Sequence, residues 1–138
     1  MSYLLDTNVL SEARKPAGNP NVKSWFESVP GRDLYLSVLV VGEIRQGIER
    51  LRRRDPEQAS TYEDWLTGLR RRFSEQILDV TIEVAEEWGR MNVPDPIATV
   101  DGLLAATAKV NRFTLVTRNT ADLERTGVAL LNPFEPAS

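Results

Sequence analysis

The chain has 138 residues, 41% of them hydrophobic, which is the size of one domain able to bury most of the surface that its unfolded form exposes. It contains no cysteine and no histidine, which excludes disulfides, thiol nucleophiles, Cys-ligated zinc and every Ser-His or Cys-His catalytic pair. Without histidine, any catalysis rests on carboxylates, hydroxyls, amines or a bound metal, while a net charge of −3, from 17 basic and 20 acidic residues, identifies no partner by itself.

The first strand is expected at Tyr3-Leu4-Leu5, ending on Asp6; Thr7-Asn8 can cap a short helix through Val9, Leu10 and Ala13. After the loop from Lys15 to Pro20, Val22, Trp25, Phe26 and Val29 recur at helical spacing and stop at Pro30-Gly31. Leu34 to Ser37 reads as a second strand and runs into a helix over Val38 to Arg54, with Val40, Ile44, Gly47, Ile48 and Leu51 on one face. Asp55-Pro56 breaks it, and Ala59, Tyr62, Trp65, Leu66, Leu69 and Phe73 mark a further helix, so the pair forms a helical hairpin. Ile77 to Val80 is a third strand, Thr81 caps a helix through Val84, Ala85 and Trp88, and Val93 to Pro96 is a loop.

Val100 to Val110 is apolar almost all round, the mark of a buried helix. Phe113 to Thr117 is a fourth strand, Thr120 to Glu124 a turn of helix, and Val128 to Leu131 a fifth strand. Strands alternating with helices predict a three-layer α/β/α fold with a mainly parallel sheet, residues 1–138 forming a single domain. The amino end has no basic region or long apolar run, and no stretch is long enough to span a bilayer, so the expectation is a soluble, unexported protein that meets no membrane, and the lack of cysteine fits a reducing cytoplasm. Trp25, Trp65 and Trp88 fall on apolar helical faces and are read as core.

In an open parallel sheet, ligands bind beyond the carboxyl ends of the strands, where polar residues from separate segments converge. Asp6 ends the first strand, Asp101 opens the buried helix, and Asn119 and Asp122 follow the fourth strand. Singly, Asp6 reads equally well as a helix cap and Asp101 as a first-turn aspartate favoured by the helix dipole. Yet Asp101 shares a helical face with Leu104, Ala105 and Ala108, and Glu43 lies beside Val40 and Gly47, so neither points to a solvated side. An ionised carboxylate buried without a partner costs several kcal/mol, and a hard divalent cation such as Mg2+ or Mn2+ relieves that cost through oxygen ligands.

Leu4-Leu5-Asp6-Thr7-Asn8, Val41-Gly42-Glu43-Ile44, the segment from Val100 to Ala108 and the segment from Leu115 to Leu123 stand in the order and spacing of PIN-domain proteins. Together with Leu131-Asn132-Pro133-Phe134, they make essentially the whole chain resemble VapC and FitB-like toxins. The resemblance implies a PIN fold, a Mg2+-dependent endoribonuclease acting on RNA as the toxin of a toxin–antitoxin pair, a cognate antitoxin and a homodimer. It places Asp6, Glu43 and Asp101 at the metal-binding acids, and the chemistry of such a site then expects one metal to be held by Asp6 and Asp101. Many PIN domains carry an aspartate where this chain has Asn119, so the fourth ligand is open between Asn119 and Asp122, as is the choice between one metal and two. Thr7, Asn8 and Thr117 match residues that support the ligands.

Between Arg45 and Arg72 stand eight arginines against five acids, a surplus on the hairpin that suits RNA phosphates. The same side chains also suit a solvated face with i,i+4 pairs. Arg118, next to the acids, is the better candidate for substrate contact. Two other functions fit a small α/β protein with an acidic pocket: a catalytically silent PIN-like module that only binds RNA, and a receiver-like signalling domain. A receiver domain would show adjacent acids after the first strand and a late strand-end lysine, whereas this chain has Asp6-Thr7 and no lysine after Lys109.

Overall fold

Strand β1, Tyr3–Leu5, sits in the middle of the sheet, and Leu4 and Leu5 are accordingly sealed from solvent although they point to opposite faces. The structure, a computed structural model, describes residues 1–136. Around β1 the sheet runs in the order β3-β2-β1-β4-β5, with β2 at Leu34–Ser37, β3 at Ile77–Leu78, β4 at Thr114–Val116 and β5 at Leu130–Leu131. All four pairings are parallel.

The helices are α1 (Thr7–Arg14), α2 (Pro20–Ser28), α3 (Val38–Arg52), α4 (Pro56–Arg72), α5 (Ile82–Met91), α6 (Thr99–Asn111) and α7 (Thr120–Leu123). From β1 the chain steps outward through β2 to β3, then crosses back to β4 and steps outward again to β5 on the other side. Parallel crossovers are right-handed, so the two directions of travel put α1 to α4 on one face and α5 to α7 on the other. The packing agrees: α1 contacts α2 and α3, and α3 lies on α4, while α6 contacts α5, α7, β1 and β4. The expected α/β architecture is therefore borne out, with a sheet that is wholly parallel.

Helix α6 is the buried one, with Leu104, Ala105, Ala106 and Ala108 at 1% exposure or less, and its run of alanines lets it lie close to the sheet. Trp25, Trp65 and Trp88 are half-buried against the core, as their spacing predicts.

Three local expectations change. The cap of α1 is Asp6, whose side chain accepts from the Thr7 N–H, while Thr7 and Asn8 are already helical. Strand β3 stops at Leu78 because β2, its ladder partner among the described residues, turns into α3 after Ser37. Strand β5 is limited to the two residues that pair with Leu115 and Val116, so Val128 is buried ahead of the ladder.

Candidate active site

The sheet changes direction between β1 and β4, which opens a crevice at the carboxyl ends of those two strands. Asp6 leaves β1 there with its N–H bonded to the Val116 carbonyl at 3.0 Å, and it is 6% exposed. Its Oδ1 accepts from the Thr7 N–H at 2.7 Å, and its Oδ2 accepts from the Thr117 hydroxyl at 2.7 Å and from Asn8 Nδ2 at 3.3 Å. Burial pushes the Asp6 carboxyl above its ordinary value, the bonds from Thr117 and Thr7 pull it back, and the charges of Asp101 and Glu43 raise it again.

Glu43 comes from α3, whose first turn is capped by Ser37 accepting from the Leu39 N–H at 3.0 Å. Its Oε1 accepts from the Thr7 hydroxyl at 2.6 Å. Asp101 stands half-buried in the first turn of α6, and its Oδ2 accepts from Asn119 Nδ2 at 3.0 Å. The Asn119 N–H in turn donates to Thr117 Oγ1 at 3.0 Å. One unbroken run of hydrogen bonds thus leads from Glu43 through Thr7, Asp6, Thr117 and Asn119 to Asp101.

Of the sequence candidates, Asp6, Glu43, Asp101 and Asn119 are brought together. Asp122 is not joined to them: it is exposed on α7, and no hydrogen bond among the described residues ties it to the network. Arg118 is exposed with its guanidinium 4.6 Å above the Phe134 ring, and its N–H reaches Asn8 Oδ1 at 3.4 Å. On the hairpin, Arg45 forks onto both carboxylate oxygens of Glu63 at 2.6 Å each and reaches Glu49, while Arg52 meets both of the same acids. Those two arginines are neutralised in place, which leaves Arg50, Arg53, Arg54 and Arg70 to Arg72 without an ion pair among the described residues.

One feature of the site escaped the sequence reading. The Trp88 indole lies against Gly102, where an added Cβ would stand 3.1 Å from Cδ1 and 3.2 Å from Nε1. That contact falls on the residue next to Asp101, and Trp88 Nε1 is buried with no hydrogen-bond partner among the described residues. A glycine inside the first turn of an otherwise apolar helix is the signal that could have found it.

As the side chains stand, no group of three acids among the described residues is drawn close enough to hold a metal ion. The donor set nevertheless suits a hard divalent cation, since every available group is an oxygen. No hydrogen bond among the described residues reaches Glu43 Oε2 or Asp101 Oδ1, so each keeps a free oxygen at the crevice.

The family model of the PIN domain matches residues 3–129. The chain belongs to the PIN-domain family. This PIN domain is 33% identical over 136 residues to the toxin FitB of Neisseria gonorrhoeae, covering 95% of this chain and 97% of that protein. It is also 33% identical over 138 residues to the VapC ribonuclease Y4jK of Sinorhizobium fredii, covering 97% and 99%. The crystal structure of FitAcB from Neisseria gonorrhoeae superposes with a TM-score of 0.89 at 32% identity, covering 96% of this PIN domain and 99% of that chain.

Proposed function

We propose that this PIN domain is a divalent-metal-dependent endoribonuclease and the toxin of a toxin–antitoxin pair. The observation that carries the reading is the hydrogen-bonded run that links Asp6, at the switch point of the sheet, to Glu43 and Asp101. Relatives named as a toxin and as a ribonuclease, matched over nearly their whole length, support the activity and its setting.

Asp6 and Asp101 are the residues that would hold Mg2+, or Mn2+ in its place. Bound there, the ion would supply activation of a water and a counter-charge for the phosphate. The chain's own residues supply position. Thr117 and Thr7 clamp the two Asp6 oxygens, which fixes the carboxylate and moderates the cost of burying it. Asn119 holds one Asp101 oxygen and leaves the other free, and Thr7 does the same for Glu43, whose free oxygen can orient the attacking water. Asn119 is accordingly the neutral fourth member of the site, and Asp122 is left outside it.

The partners proposed are an RNA substrate, a second copy of the chain and a cognate antitoxin whose segment covers the acids with a basic side chain. The cysteine-free composition suits the reducing cytoplasm. The test is cleavage of structured RNA by the parent, Asp6→Asn and Asp101→Asn proteins, with Mg2+ and with EDTA, alongside circular dichroism. Cleavage in Mg2+ only, lost in folded variants, is expected. Undiminished cleavage in chelator would overturn the metal site, and RNA binding without cleavage would favour the silent module.

A further inference from the structure

A pocket of about 350 Å3 opens directly beside the acids, sharing Thr7 and Glu43 with them. It runs along α3, where Glu43, Gly47 and Leu51 succeed one another on one side over about 12 Å. Ile44 and Ile48 make its base apolar, and Tyr62 and Trp65 of α4 line it from the other helix.

Three observations bear on what fills it. The aromatic wall is built in advance: Tyr62 and Trp65 meet edge to face at 6.3 Å, and the Arg14 guanidinium lies 3.9 Å from the Tyr62 ring centre and 5.4 Å from that of Trp65. The polar lining includes the Gln58 amide, the Ser11 hydroxyl and Arg54, which supply both donors and acceptors, and Arg54 has no ion pair among the described residues. Glycine at position 47 is a poor choice for a helix interior, yet a Cβ there would meet nothing within 4 Å among the described residues, so their packing does not demand it. Gly47 lines the pocket and puts no side chain into it.

We infer that this pocket receives one unstacked nucleobase of the RNA strand, adjacent to the phosphate that a metal ion at Asp6 and Asp101 would hold. Bases splayed from single-stranded RNA are bound by stacking on aromatic and arginine planes and by hydrogen bonds to their edges, and this lining offers both. Because Glu43 and Thr7 belong to the pocket and to the acidic site alike, a strand seated at one places its neighbouring nucleotide at the other. Arg54 then meets the backbone at the far end of the pocket. The inference rests on the ribonuclease reading and gives that enzyme its base preference.

The experiment measures fluorescence anisotropy of labelled single-stranded RNAs, each with one base removed in turn, on an Asp101→Asn background in EDTA so that nothing is cut. In this background the removal of one particular base weakens binding about 10-fold. Gly47→Leu, which plugs the pocket, binds the intact RNA as weakly as the abasic one and loses that dependence, while Gly47→Ala, with a melting temperature at least equal, retains part of it. Equal binding of every abasic RNA, or an unchanged dependence in Gly47→Leu, overturns the inference. So does a Gly47→Leu protein that binds RNA normally but is no longer inhibited by its antitoxin, since the pocket would then hold a protein side chain. Cleavage by the otherwise unaltered protein in Mg2+ is scored separately. Cleavage without base dependence sinks the pocket alone, and base dependence without cleavage sinks the nuclease alone.

Discussion

The Thr117 hydroxyl donates a 2.7 Å hydrogen bond to Asp6 Oδ2, and both side chains are buried although 111 positions separate them. The bond joins the ends of β1 and β4 and holds the carboxylate at the crevice. A neutral donor to a buried charge is worth about 1.5–3 kcal/mol. Thr117→Val, which keeps the shape and removes the donor, is expected to lower stability at neutral pH by about 2 kcal/mol and to cut RNA cleavage, with Thr117→Ser restoring both. Urea unfolding and single-turnover cleavage check it; equal stability of the Val and Ser variants would contradict it.

Asp6 also gives the metal-free protein a particular pH dependence. Its carboxyl is raised, first by burial and further by Asp101 and Glu43, so the folded chain holds its proton more tightly than the unfolded chain. A group of this kind contributes its full stability below the unfolded carboxyl pKa and loses that contribution as pH rises through the folded value. In EDTA at pH 7, Asp6→Asn should therefore melt higher than the parent, with the difference closing as the pH is lowered toward about 4, because Asn is as good a helix cap as Asp. Added Mg2+ should raise the melting temperature of the parent by mass action and that of the variant much less. A variant strongly destabilised in EDTA would mean that Asp6 is only a cap.

The Gly102–Trp88 contact predicts coupling between two positions. Gly102→Ala places a methyl group 3.1 Å from the indole, an overpacking cost of about 1–3 kcal/mol, set against about 1 kcal/mol gained in helix propensity. A net loss of about 1 kcal/mol is expected in urea unfolding. Trp88→Ala removes both near atoms together with the N–H that has no partner among the described residues, so Gly102→Ala should cost little in that background, whatever Trp88→Ala costs by itself. Additive losses in the double mutant would show that the two do not touch.

The hairpin arginines should divide into two sets. The Glu63 carboxyl is held below its ordinary value chiefly by Arg45, and that of Glu49 chiefly by Arg52 and then Arg45. Stability from these pairs is present above the unfolded carboxyl pKa and is lost as pH falls through the lower folded value. Arg45→Gln should then show a small loss at pH 7 that shrinks in high salt and at pH 3, with little change in RNA affinity. Arg54→Gln, by contrast, should lower the salt slope of single-stranded RNA binding by about 0.7. Salt titrations of both variants decide it, and equal slopes for the two would refute the division.

The amino-acid sequence by itself determined the order and kind of the elements and the candidates at their ends, because helical periodicity, caps and breakers act over a few residues. It also singled out Glu43 and Asp101, whose helical faces are too apolar for an unpartnered acid, although their grouping came from the resemblance to PIN domains. It did not distinguish the cap at Asp6 from those at Thr7 and Asn8, since all three are good cap residues and the backbone turn decides which one bonds. Only the tertiary structure decided that β1 lies beside β4, and with that Thr117 meets Asp6 and Asn119 meets Asp101 while Asp122 stays outside. It likewise decided which arginines are spent on Glu49 and Glu63, and that Gly47 opens onto a pocket. Those outcomes depend on which distant segments pack together, and sheet order is set by burial summed over the whole core, which no local stretch of sequence contains.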